Sequence, residues 1–225
     1  MLRRLIIQSL VSLAAQAAIL LTAGDDPLWP QAWAYLGEVT ALSAATSWWL
    51  YKNDPKLLKA RMTSPFQAGQ RPFDRVLIIA FMVLYAAWMV LMGLDAHRFL
   101  WTEVPLWAQI AGALLVGAGL ILVWETFRAN TFAAPQVRVQ AERAQKVIDS
   151  GPYHYIRHPM YAGMALSIIG APLVLGSLWG LAGASVLVAG LALRALGEET
   201  VLRAGLVGYE AYTKTTPWRI IPGVW

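Results

Sequence analysis

The 225 residues contain no cysteine, which excludes disulfides, thiolate metal sites and cysteine nucleophiles. Histidine occurs three times, and only 14% of the chain is charged. No Gly-rich phosphate-binding loop precedes a helix, and no internal repeat or low-complexity segment is evident. What is there instead is hydrocarbon: 58% of the residues are hydrophobic, 11 are Trp, and the mean hydropathy is positive. Such a composition lies outside the soluble globular norm and predicts a polytopic membrane protein.

A helix needs about 20 mainly apolar residues to cross roughly 30 Å of hydrocarbon. Leu5–Ala23, Gln31–Leu50, Arg75–Leu94 and Pro105–Phe127 meet that length. From Pro159 to Leu196 an apolar stretch nearly twice as long is broken by Pro172, Gly176, Ser177 and Gly180. Proline removes a backbone donor and Gly-Ser favours a turn, so a hairpin of Pro159–Leu175 and Leu178–Arg203 is expected. The fold class is therefore all-α, a transmembrane bundle of about six crossing segments ending in a helical hairpin.

Charge supports six passes. With the N-terminus inside, Arg98 alone of the 18 Lys and Arg falls outside, as the positive-inside rule asks. Both termini and the candidate site are then cytoplasmic. The net charge of +5 follows from this topology and the anionic inner leaflet, and no nucleic-acid partner is expected. The first apolar segment is too long for a usual signal peptide and reads as a retained span.

Texture divides the chain into scaffold helices, 1–104, and a region carrying the chemistry, 105–225. In the first part, Trp29, Trp33, Trp48, Trp49, Tyr51 and Trp101 sit at helix ends as interfacial anchors. Gln16 and Glu38 are exceptions within spans. An intramembrane ionisable group is a functional candidate, while a carboxylate bonded to a neighbouring helix is the plainer reading of Glu38. Gly112, Gly117 and Gly119 permit close helix packing, and Glu125 with Arg128 forms a possible ion pair at one helix end.

Polar residues then cluster at the membrane border. The 128–158 segment is too poor in apolar residues to form its own domain and is expected to cover the bundle. Gly151-Pro152 sets a turn, and Pro159 suits the first position of the next helix. His158 could simply cap that helix. With Tyr153, Tyr155, Arg157 and Tyr161 beside it, the segment also offers aromatic faces, donors and a helix N-terminus to a ligand bearing an adenine ring and a carboxylate. On the second hairpin helix Gly190, Arg194, Gly197 and Glu198 share one face by 3–4 spacing. They read either as a ligand groove or as an Arg-Glu pair at the helix end.

Gly151-Pro152-Tyr153, Arg157-His158-Pro159-Met160-Tyr161-Ala162-Gly163, Arg194, Glu198-Glu199, Leu202, Tyr209, Tyr212 and Ile221-Pro222 together resemble the isoprenylcysteine carboxyl methyltransferase family over residues 128–225. The phospholipid N-methyltransferases share parts of the pattern. The resemblance implies an integral membrane carboxyl O-methyltransferase that uses S-adenosyl-L-methionine and a lipophilic or lipidated acceptor, with membrane lipids as partners and no metal. It assigns cofactor contacts to Gln140, Gln145, Lys146, Val147, Ile148, Tyr153, His158, Pro159, Met160, Tyr161 and Glu198, and substrate contact to Arg194. The chain departs from the family at Leu206-Val207-Gly208, where Phe-Gly is usual.

A carboxylate acceptor is already ionised at neutral pH and needs no base. A phospholipid amine would need one, and Glu199, Glu125 or His158 could serve. An NADPH-dependent sterol-type reductase and a non-enzymatic membrane protein are the other readings of the pattern.

Overall fold

The computed structural model describes residues 1–63, 66, 72–135 and 139–225; Arg71 and Arg138, counted among the inner cations, lie outside them. The order is α1 (Leu2–Gly24), α2 (Pro30–Asn53), α3 (Pro55–Arg61), α4 (Pro72–Gly93) with a π-helical turn at Leu94–Arg98, α5 (Leu106–Ala129), α6 (Pro159–Leu175), α7 (Leu178–Gly205) and α8 (Tyr209–Thr215), with short 3₁₀ turns at Ala141–Arg143 and Gly151–His154. The all-helical bundle matches the expected fold class.

Four helices among the described residues are long and apolar enough to cross a membrane: Leu2–Gly24, Arg75–Arg98, Leu106–Ala129 and Leu178–Gly205; Pro159–Leu175 is a shorter apolar helix. Three of them are spans expected from the sequence and the fourth, α7, is the second arm of the expected hairpin. α2, also expected to cross, has the length, but Gln31, Glu38, Thr40, Ser43, Thr46 and Ser47 dilute its hydropathy.

The predicted hairpin is present. α6 begins on Pro159, and Gly176, in the left-handed region at φ 90°, ends it by donating to the carbonyls of Pro172 and Leu173. This is the conformation glycine adopts at no steric cost. Ser177 caps α7 by accepting from the Gly180 amide at 2.8 Å.

The hairpin tip is tied to α4. Asp95, fully buried, accepts from Thr102, from the Ser177 hydroxyl and from the Trp179 amide at 2.5–3.1 Å. Trp88 Nε1 adds a bond to the Gly180 carbonyl at 2.6 Å. Buried polar groups must be satisfied in this way, so the tip is a fixed point from which α6 and α7 run to the opposite end.

α5 and α6 pack almost backbone to backbone. A Cβ placed on Gly119 would lie 2.4 Å from the Gly163 carbonyl oxygen, and one on Gly170 2.5 Å from that of Gly112. Small residues admit this approach. The seam holds the end of α5 beside the start of α6, where the polar residues gather.

Candidate active site

At the end opposite the hairpin tip, the segment following α5, the start of α6, the end of α7 and α8 enclose a cavity. Its wall includes Asn130, Phe132, Gln145, Lys146, Val147, Ile148, Tyr153, Arg157, His158, Met160, Tyr161, Glu198, Tyr209 and Tyr212. The segment after α5 thus covers part of the bundle, as its composition predicts.

Two backbone strands of contact fix the start of α6. The amides of Arg157 and His158 donate to the carbonyls of Trp218 and Arg219 at 2.9 and 2.8 Å. His158 occupies the N-cap position without a side-chain cap bond. Its ring instead stacks on Tyr161, centroids 5.5 Å apart, so the plain capping explanation for this histidine fails.

The adjacent carboxylates Glu198 and Glu199 diverge. Glu198 lies in the cavity wall, about a third exposed, and accepts from the Tyr161 hydroxyl at 2.9 Å. Glu199 is buried behind it: Arg157 Nε lies 2.7 Å away, His158 Nε2 3.3 Å and Arg219 Nε 3.3 Å. Arg157 further donates to the carbonyls of Thr216 and Pro217. Successive positions on a helix point about 100° apart, which separates a cavity-facing acid from a structural one.

Expected as a base, Glu199 therefore has its oxygens committed to Arg157, Arg219 and the His158 ring and has no place in the cavity wall. Glu125 is likewise engaged, 2.7 Å from Arg128 at an exposed helix end. Of the three candidate bases only His158 reaches the cavity.

Among the expected cofactor residues, Gln145, Lys146, Val147, Ile148, Tyr153, His158, Met160, Tyr161 and Glu198 line the cavity together. Gln140 does not. It is buried, donating to the Phe132 carbonyl and accepting from Arg143, while its amide donates to Gln145 Oε1 at 2.7 Å. It braces the covering segment. Pro159, also buried, is the first residue of α6 and stands behind the wall. Arg194 stands outside the wall too, its Nη2 donating to the Pro135 carbonyl at 2.5 Å.

Among residues not assigned from sequence, Asn130, Phe132, Tyr209 and Tyr212 lie in the wall and Arg61 stands beside it. Asn130 donates to the Tyr153 hydroxyl at 2.8 Å. Burial pushes the Tyr153 phenol well up, partly offset by that bond. Tyr212 donates to the Tyr153 carbonyl at 2.7 Å, and burial pushes its own phenol up to about 12. Arg61, from α3, donates to the Ala133 carbonyl at 2.8 Å and stands 3.7 Å from Met160 Sδ. Nothing but its position at a basic helix end marks Arg61 in the sequence.

The donor set fits an adenosyl amino acid. Glu198 can hold an ammonium, Lys146 a carboxylate, and Phe132, Tyr153, Tyr209 and Tyr212 offer faces to a purine. Tyr209 Oη is buried in this wall with no hydrogen-bond partner, a vacancy costly to keep unless a ligand fills it. The cavity is narrow, about 80 Å³ against roughly 300–1,000 Å³ for small-molecule pockets, so admission of such a ligand requires its walls to separate.

No curated protein matches the chain. Residues 107–205, less than half of it, match the family model described as phospholipid methyltransferase; the matched stretch holds α5, the covering segment and the α6–α7 hairpin, while Leu206, Tyr209 and Tyr212 of the cavity wall lie beyond it, and on that match, with the membrane-length helices, the chain reads as a membrane methyltransferase.

Proposed function

We propose that the protein transfers a methyl group from S-adenosylmethionine to the carboxylate of a lipophilic acceptor at the cytoplasmic border of the membrane. The observation that carries this reading is the convergence on one cavity of Glu198, Lys146 and the aromatic residues from three separate segments. Bound there, the cofactor would supply a methyl on a positively charged sulfur; a carboxylate oxygen would bond to that carbon as the carbon–sulfur pair leaves on sulfur, with no proton to move.

The chain's own residues orient and exclude water, the two effects that suffice when the nucleophile is already ionised. Glu198, steadied by Tyr161, would hold the cofactor's ammonium group. Tyr209 would donate its unused hydroxyl proton. Arg194, just outside the wall, would orient the acceptor carboxylate. The cationic ends of α1, α3 and α8 gather around this end of the bundle, which supports a cytoplasmic site by the positive-inside rule. Six passes, with both termini inside, follow if α2 and α6 also cross.

A second reading is favoured by the family match: an amine acceptor on a phospholipid. His158 would then take the proton, because Glu199 and Glu125 are committed to arginines.

Calorimetry of S-adenosylmethionine binding to the purified protein in detergent tests the proposal, with Glu198→Ala and Tyr209→Phe alongside and NADPH as competitor. Binding that weakens in both variants and ignores NADPH is expected. Absence of binding, or binding of NADPH in its place, overturns it. Product analysis with a thioether-linked prenylcysteine and with phosphatidylethanolamine then separates ester from amine.

A further inference from the structure

A second cavity, about 490 Å³, lies between α1, α2 and α5. Its walls are unusual for helices in a bilayer. Gln8, Ser12 and Gln16 repeat every four residues on α1, and Ser43 and Ser47 do so on α2, so each helix turns a polar face inward. Polar groups at this depth are costly and favour a site that receives polar atoms. From Gln8 to Gln16 the face runs about 12 Å along the helix axis.

Arg61 closes the inner end of the groove. Its guanidinium lies over the Phe127 ring, 4.3 Å from the centroid, and one nitrogen holds the Ala133 carbonyl. No carboxylate pairs with it among the described residues, and burial lowers its pKa to about 10, with Arg194 adding to the fall. A half-buried cation without an anion gains from one. Ala133 and Met160, which Arg61 touches, belong to the wall of the first cavity. The guanidinium is thus the partition between the two spaces.

We propose that the α1–α2–α5 groove binds the acceptor as an amphipathic lipid with one anionic group, a phosphodiester or a carboxylate, which Arg61 holds at the threshold of the first cavity. This rests on the methyltransferase reading for the word acceptor, though not for the binding. The hydroxyls of Ser12, Ser43 and Ser47 face the ester or amide atoms next to the anion, and the open side of the groove lets the hydrocarbon chains leave into the bilayer. Arg61 holds the anion at the threshold beside Arg194, whose charge is near enough to act on the Arg61 guanidinium, and takes no part in bond making.

Native mass spectrometry of the whole protein, released from detergent after incubation with dioleoyl phosphatidylethanolamine, dioleoyl phosphatidylglycerol, N-acetyl-S-farnesylcysteine or neutral dioleoylglycerol, reads the proposal without catalysis. Retention of an anionic lipid over dioleoylglycerol is expected, falling about tenfold or more in Arg61→Gln, recovering in part in Arg61→Lys, and falling several-fold in the Ser43→Val, Ser47→Val pair. The lipids retained distinguish phosphodiester from carboxylate. S-adenosylmethionine affinity, measured by calorimetry on the same variants, should stay within about twofold. Equal retention of charged and neutral lipid, or no loss in Arg61→Gln, overturns the proposal. So does a parallel fall in cofactor affinity, which would make Arg61 a brace for the Ala133 segment only. Lipid retention by a protein that binds no S-adenosylmethionine would remove the methyltransferase reading and leave the lipid site standing.

Discussion

The seam between α5 and α6 is shut and the seam between α1 and α2 is open, though all four helices are apolar over most of their length. In the first, Gly112, Gly119, Gly163 and Gly170 bring backbones together until a single methyl has no room. In the second, Ser, Thr and Gln side chains face a groove of about 490 Å³. Lipid tails are as apolar as leucine, so hydrophobicity alone does not choose which helices pack tightly. Side-chain size and polarity do, and the choice places a rigid wall behind the first cavity and a crevice beside it.

The sharpest way to break the closed seam is Gly119→Val. Its first carbon alone would meet backbone and Ser167 Oγ at 2.4 Å, and backbone does not yield cheaply. The expected outcome is failure to recover a monodisperse protein by size exclusion in detergent. A well-behaved Gly119→Val protein would mean that α5 and α6 are not packed as described.

The next effect tests the ion network at the inner end of α7. Arg157→Ala leaves Glu199 buried beside only its weaker partners, and removing one member of a buried pair costs about 3–5 kcal/mol. Arg128→Ala breaks an exposed pair of equal length, 2.7 Å in both cases, and should cost under about 1 kcal/mol. Thermal unfolding of the two variants side by side measures the ratio. Equal losses would show that burial does not separate the two pairs.

The sequence discloses these regions unequally, and the reason is distance along the chain. Pro159, Gly176 and Ser177 announce the hairpin because helix starts and turns are written in neighbouring residues. The α5 glycines likewise announce a close seam, but not its partner. Glu198 and Glu199 are adjacent and look equivalent; only the approach of Arg157, 42 residues upstream, and of Arg219 from the C-terminal segment separates them. Gln140, which the resemblance assigns to the cofactor, bonds within its own segment to Phe132, Arg143 and Gln145. Arg61 was one of many inner cations until its neighbour Met160, 99 residues away, placed it at the site. α2 is legible as a helix of span length, but not the turn of its Thr40, Ser43, Thr46 and Ser47 towards α1, where they line a groove.

A smaller effect concerns pH. Tyr212 donates to the Tyr153 carbonyl, and burial raises its phenol from 10.0 to about 12. A folded-state pKa above the unfolded one stabilises the protein fully below about pH 10 and loses that contribution as pH rises towards 12. Tyr212→Phe should cost about 0.5–1.5 kcal/mol at neutral pH and flatten the alkaline limb of the unfolding profile. An unchanged limb would assign it to other groups.

The smallest effect lies on the same helix as the largest. Gly117 is two residues before Gly119 but faces α2, where a Cβ would meet only Glu38 Oε1, at 3.0 Å. That oxygen is the far end of a flexible side chain and can move by the few tenths of an ångström required. Against this small strain, alanine gains up to about 1 kcal/mol of helix propensity over glycine. Gly117→Ala should therefore be neutral or slightly stabilising in a thermal melt, in contrast to the collapse expected two positions on. A large loss would show that Glu38 is held rigidly against α5, and would transfer to the α2–α5 contact some of the closure now assigned to α5 and α6 alone.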